Sequence, residues 1–204
     1  MTRPRLLDLF CGAGGAAMGY HRAGFEVVGV DNRPQPRYPF EFHQADAMTY
    51  PLEGFDAIHA SPVCLTFTPV TDWRGSRDNY PDTLTPTLQR LEAVSVPWVV
   101  ENVPEACPPL RGDLLLCGSQ FGLNVRRHRA FQLGNWSMPY SLMPACNCGQ
   151  ALPFMHKGER EYTDAMGCTW MDKTSGRQAI PPEYTRFIGE TLREQCRIPS
   201  IPWA

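Results

Sequence analysis

No stretch of this chain is apolar for long enough to cross a bilayer, and no secretory leader is recognisable, because Arg3 and Arg5 precede only a short strand. The expected address is the cytoplasm, with no membrane partner. Charge of one sign is also missing. The formal net charge is -2, so the chain does not advertise nucleic-acid binding by its total, although binding needs only a local basic surface. Internal repeats and low-complexity tracts are lacking, which excludes solenoids and extended linkers. At 204 residues, 43% hydrophobic and 20% charged, one domain with a small insertion is expected, large enough to bury a core without staples.

Cysteine is present but poorly spaced for bridges or metal. The eight cysteines are expected reduced in an intracellular chain. Cys146-Asn147-Cys148, His156 and Cys168 sit in one region, yet C-x-C without a second close pair is poor spacing for a structural metal site. No metal is expected, and Met143, Met155, Met166 and Met171 are read as a small satellite core.

The chain is organised around Leu6-Leu7-Asp8-Leu9-Phe10-Cys11-Gly12-Ala13-Gly14-Gly15. Leu6 to Phe10 reads as a buried strand, the glycines as a tight turn visiting positive φ, and Ala13 to Ala23 as a helix. A second strand, Glu26 to Val30, then ends at Asp31. Glycine at such a turn avoids a Cβ that would collide with a ligand. An acid ending the second strand suits ribose hydroxyls. The spacing is not G-x-G-x-x-G, so a nucleoside-type cofactor such as S-adenosylmethionine (SAM) fits better than a dinucleotide. A plain tight βα connection is the alternative.

Further strands are expected at Phe40 to Ala45 (ending at Asp46), Phe55 to Ala60, Trp98 to Val100, Leu114 to Cys117 and Ala130 to Leu133. Helices are expected at Leu84 to Val94 and from Pro181-Pro182 to about Cys196. Between Gly134 and Gly176 the pattern dissolves into an irregular insertion. The polar loop Leu65 to Asp82 is long enough to be functional. Alternating strands and helices predict an α/β fold, a doubly wound and mostly parallel Rossmann-like sheet whose ligand site lies at the strands' carboxyl ends. Residues 1–133 and 177–204 form the main domain and 134–176 the insertion.

The strand ends then carry chemistry: the glycine turn, Asp31, Cys64 and Glu101. Each has a plain reading, as a core thiol or a surface carboxylate, but together the segments resemble a family. Asp8-Leu9-Phe10-Cys11-Gly12-Ala13-Gly14-Gly15, Pro62-Val63-Cys64-Leu65-Thr66-Phe67-Thr68, Glu101-Asn102-Val103, Val125-Arg126-Arg127-His128-Arg129 and Gln178-Ala179-Ile180-Pro181-Pro182 are similar, in order, to the motifs of DNA cytosine-5 methyltransferases. The resemblance covers the chain except about Gly134 to Met166.

It implies a SAM-dependent methyltransferase fold in which Cys64 adds to carbon 6 of a flipped cytosine. Carbon 5 then takes the methyl group, which is covalent catalysis. Glu101 is implied to hold the base at nitrogen 3 and the 4-amino group. Arg127 and Arg129 are implied to activate the thiol and contact O2. For SAM it implies Asp8, Phe10, Gly12, Ala13, Gly14, Gly15, Asp31, Asn32, Asp46, Ala47 and Gln178, with Phe10 on adenine and Asp31 on ribose. The partner is double-stranded DNA. The chain is expected monomeric, with a partner chain as a further source of target recognition. Arg74 and Arg77, in the loop after Cys64, are candidates for phosphate contact, the loop itself for a lid.

The chain departs from the family pattern at Val63 (usually proline), Leu65 (commonly glutamine) and Val125 (often glutamine). Valine restores an N–H before the nucleophile and loosens the backbone there. The insertion is short for a target-reading region. Two alternatives follow: a non-catalytic DNA-binding relative, and the same chemistry on RNA or a nucleotide.

Overall fold

The computed structural model describes residues 2–67, 80–139, 141, 143–150 and 159–196. Seven strands form one sheet: β1 (Arg5–Leu9), β2 (Glu26–Asp31), β3 (Glu41–Gln44), β4 (Ala57–Ala60), β5 (Trp98–Asn102), β6 (Leu114–Leu116) and β7 (Arg129–Gly134). Their spatial order is β3-β2-β1-β4-β5-β7-β6. Strands β1 to β5 are parallel to one another, while β7 runs antiparallel between β5 and β6.

The strands are buried because alternate residues face two covered sides. Leu6, Val27, Ala57 and Val99 pack with Tyr20, Ile188 and Leu192 of α1 (Gly15–Ala23) and α5 (Pro182–Gln195). Leu7, Val30, Ile58 and Val100 pack on the other side with Leu84, Leu88 and Leu91 of α2 (Leu84–Glu92). Apolar residues on both faces are what a sheet covered by helices on each side demands. Helices α1 and α5 lie against each other so closely that a Cβ at Gly19 would sit 2.1 Å from the Pro182 carbonyl oxygen. The expected doubly wound, mostly parallel sheet is the fold observed, with the β6–β7 hairpin as its antiparallel part.

The insertion is less irregular than its composition suggested. It holds α3 (Glu159–Ala165), and α4 (Lys173–Gln178) begins within it. Asp172 caps α4 by accepting the Ser175 N–H at 2.8 Å, a local signal hidden among the prolines and glycines. Gly176 lets α4 approach Thr163 of α3, whose Oγ1 would lie 2.2 Å from a Cβ there. Met166, Met171 and Cys168 are buried together with Tyr162, Val125 and Ala13, as a satellite core. Met143 packs instead against the α1/α5 side of the main core. Met155, Arg74 and Arg77 lie outside the described residues. Among the described residues no helix is long and apolar enough to cross a membrane.

Candidate active site

Sheet register places the candidate residues. Leu9 pairs with Ala60 and Ala60 with Val100, so β1 and β4 end level, while β5 runs two residues further, to Asn102. Phe10, Ser61 and Glu101 therefore leave these positions side by side. This is the carboxyl edge where ligands bind in open α/β sheets.

The turn after β1 takes left-handed backbone at Phe10 (φ 56°), Gly12 (φ 49°) and Gly14 (φ 85°). The positive φ expected of its glycines is found at Gly12 and Gly14. A Cβ at Gly12 would meet nothing within 4 Å, which leaves an open cradle. At Gly14 and Gly15 the obstacle is the protein itself: a Cβ would lie 2.9 Å from Pro39 Cδ and 2.4 Å from the Ile180 carbonyl oxygen, respectively. The final motif thus folds back on the first. Trp170 Nε1 also donates to the Ala13 carbonyl at 3.0 Å, and Thr185 Oγ1 to that of Ala16 at 2.8 Å. Gln178 is exposed at the end of α4, next to Ala179 and Ile180.

Asp31 ends β2 beside this turn. Its Oδ2 accepts the Gly12 N–H at 3.0 Å and its Oδ1 the Arg33 N–H at 2.9 Å. The carboxylate is fixed by backbone and keeps lone pairs for a further donor. Asn32 and Asp46 are exposed and Ala47 is buried. Asp46 Oδ1 accepts the Met48 N–H at 2.9 Å. Asp8 is fully buried, with no donor in hydrogen-bond geometry at either oxygen. Burial first, then the charge of Asp31, raise its pKa well above the carboxylate range. A buried acid with only the Ala17 N–H near its carboxylate, beside an open glycine cradle, fits a site shaped for a polar ligand.

Cys64 and Glu101 are brought together. The segment Pro62-Val63-Cys64 is tied to the end of β5 by Asn102, whose Nδ2 donates to the Pro62 carbonyl at 3.0 Å. The N–H that valine restores at position 63 donates to Thr83 Oγ1 at 3.0 Å. Burial raises the pKa of the half-buried Cys64 thiol; the Arg129 charge opposes this and the Glu101 charge adds to it. Glu101 is itself raised by burial, against the pull of Arg129 and Arg127. Arg129 Nε lies 2.8 Å from Glu101 Oε1, and the two side chains are only 15% and 7% exposed.

The two arginines have different duties. Arg127 turns its guanidinium away from this pair, donating from Nη1 to Tyr162 Oη at 3.1 Å and from Nη2 to the Arg177 carbonyl at 3.0 Å. It tethers the insertion and reaches Cys64 only through its charge. Arg129 is the cation in contact with the carboxylate.

A polar relay behind Glu101 escaped the sequence reading. Ser61 hydrogen-bonds Glu101, His59 Nε2 lies 2.9 Å from Ser61 Oγ, and His59 Nδ1 lies 3.0 Å from Tyr20 Oη. Burial pushes the His59 pKa down to about 3, so the ring is neutral. Ser61 donates to the carboxylate and so accepts from Nε2–H, which leaves Nδ1 to accept from Tyr20; the network assigns this tautomer. The relay fixes the face of Glu101. In sequence His59 stands inside an apolar run and reads as core.

No family model matches the chain, and no curated protein matches it in sequence. Solved structures do match. A protein that bears the name DNA modification methyltransferase, encoded within an E. coli prophage, superposes with a TM-score of 0.52 at 20% identity, over 70% of this chain and 51% of its own. The fold is that of the SAM-dependent methyltransferases. The Entamoeba histolytica methyltransferase EhMeth matches at 13% identity with a TM-score of 0.49, over 81% of this chain and 65% of its own. Dnmt2 methyltransferase of S. pombe matches at 20% identity with a TM-score of 0.46, over 68% and 53%. The chain thus spans about half the length of the prophage protein and of the S. pombe enzyme. In this methyltransferase fold the glycine cradle and Asp31 occupy the carboxyl ends of β1 and β2, next to the Cys64–Glu101 site.

Proposed function

We propose that the chain is a DNA (cytosine-5) methyltransferase that uses SAM and a covalent Cys64 adduct. The observation that carries this reading is the convergence of a thiol, a buried carboxylate and a largely buried guanidinium at the carboxyl-end side of β4 and β5, one strand from the open cradle. The order of the sequence motifs supports cytosine as the base and DNA as the substrate.

Bound SAM would supply an electrophilic methyl group. The cradle at Gly12, the fixed carboxylate of Asp31 and the exposed Asp46 are the groups that would hold it, with Asp8 beneath. The rest of the chemistry falls to the chain's own side chains. Cys64 as thiolate adds to carbon 6 of an extruded cytosine, and the ring electrons move to carbon 5. Glu101, oriented by Ser61 and carrying a proton that its raised pKa makes available, donates that proton to nitrogen 3, accepts from the 4-amino group and so favours that charge distribution. Arg129 stabilises both the thiolate and the carboxylate by its positive charge. After methylation, loss of the carbon-5 proton and expulsion of the Cys64 sulfur restore the aromatic ring.

Incubation with methyl-tritiated SAM and duplex DNA should place label in 5-methylcytosine. Cys64→Ser should abolish transfer while keeping SAM affinity. Transfer at an unchanged rate by Cys64→Ser refutes the adduct. Label in transfer RNA or dCMP and none in DNA refutes the substrate.

A further inference from the structure

We propose that Cys117, His128, Cys146 and Cys148 form a structural zinc site that fastens the start of the insertion to the arginine segment before β7. The sequence sets Cys146 and Cys148 in one region with His156 and Cys168. Cys168 is buried in the satellite core, and His156 lies outside the described residues. The C-x-C pair instead meets a thiol and an imidazole supplied by the β6–β7 hairpin. Leu116 pairs with Arg129 in that antiparallel ladder, so the adjoining positions, Cys117 and His128, stand opposite each other.

The ligand atoms of the four residues all lie within 4.8 Å of one another. His128 Nε2 is 3.8 Å from Cys146 Sγ and 3.8 Å from Cys148 Sγ. Zinc bonds of about 2.3 Å to sulfur and about 2.0 Å to nitrogen put neighbouring ligand atoms of a tetrahedron roughly 3.5–3.8 Å apart. The two His128–thiol distances match such an edge, and the 4.8 Å envelope of the set leaves at most about 1 Å of side-chain movement to close the tetrahedron. Three thiols and one imidazole make a closed ligand set, the structural kind, with no position left for a reacting water. An odd number of thiols also cannot be used up by disulfide pairing within the cluster.

The surroundings hold the ligands in place. Gln120 Oε1 accepts the Cys117 N–H at 2.6 Å, and its Nε2 donates to the Pro144 carbonyl at 2.7 Å. Ser119 Oγ lies 3.5 Å from Cys146 Sγ and accepts the Asn147 N–H at 3.2 Å. One short turn, Gly118–Phe121, thus grips both cysteine-bearing segments. Residues 144–147 are otherwise exposed and have no regular structure. Such a segment needs a cross-link to keep one position. Three thiolates on a dication leave a single negative charge, beside the cations Arg126 and Arg129.

The full chain, purified without chelator, should contain about one zinc by mass spectrometry, the count for a four-ligand mononuclear site. After removal of zinc and titration with cobalt(II), it should show the thiolate-to-cobalt charge-transfer band and the ligand-field bands of a tetrahedral ion. The double variant Cys146→Ser/Cys148→Ser should lose both signals, and Cys168→Ser should keep both. Zinc bound equally by the double variant overturns the assignment. So does an unaltered chain that holds less than about a tenth of an equivalent and gives no charge-transfer band. If the double variant does not fold, the cobalt spectrum of the unaltered chain decides.

Discussion

Replacing Arg129 by methionine should cost far more than an ordinary ion pair, and the cost should grow with pH. The guanidinium lies 2.8 Å from a carboxylate that is 7% exposed, so its removal strands a buried charge. Breaking a buried pair on one side typically costs about 3–5 kcal/mol, against about 0–1 for an exposed pair. With a urea dependence of ~2 kcal/mol per molar, the midpoint should fall by roughly 2 M. Glu101 can escape by taking a proton. Burial already raises its pKa and Arg129 is the main force lowering it, so without Arg129 the carboxyl stays protonated to higher pH. The deficit should therefore be smaller at pH 5 than at pH 8. The double variant Arg129→Met/Glu101→Gln should recover to within about 1–2 kcal/mol of the original, since a neutral amide carries no stranded charge, yet it should not regain methyl transfer. Urea titrations of both variants at pH 5 and pH 8 make the comparison. A deficit below about 1 kcal/mol at pH 8, or a double variant as unstable as the sum of the singles, would show that the pair is solvated and the reasoning wrong.

Two glycines should separate binding from stability. Gly12→Ala strains a left-handed residue by about 1–2 kcal/mol but meets no neighbour, so calorimetry should find weakened SAM binding on a folded chain. Gly19→Ala instead forces α1 off α5 and should cost about 1–3 kcal/mol or more by thermal unfolding; an unchanged melting temperature would contradict the close packing. Asp8 is a third case. Its raised pKa means that its contribution is fully favourable below about pH 4, the ordinary carboxylate value, and declines as pH climbs toward its native value. Asp8→Asn should remove that decline, making the free protein more stable at pH 7 while weakening SAM binding. Identical pH slopes for the two proteins in urea would disprove it.

The sheet was legible because its strands are apolar runs stopped by recognisable residues. Leu6-Leu7 before the glycines, Val27 to Val30 before Asp31, and Trp98 to Val100 before Glu101 each announce a buried strand and what stands at its end. What could not be read was whatever depends on pairing across the fold. Nothing local in Ala130 to Leu133 says that β7 runs against β5, and that direction is what sets Arg129 on Glu101. His59 sits among apolar neighbours, so its bonds to Tyr20 and Ser61 are invisible until β4 lies beside α1. The short helices α3 and α4 were masked by prolines and glycines, although Asp172 marks one of their starts. Arg127 and Arg129 differ by two positions and look equivalent in sequence. Only their surroundings separate a tether from a charge partner.

Because β7 runs against its neighbour, it enters the sheet at the edge where β5 leaves it. The residue that opens one strand thereby lies diagonally across from a residue near the close of the other, two positions before the Phe131–Glu101 rung. The segment that follows β7 departs from the opposite edge, beyond Gly134. Its first residues can vary in length without touching that rung, whereas Tyr162 and Trp170, further along, return to Arg127 and to the turn at Ala13 and are bound to keep their places.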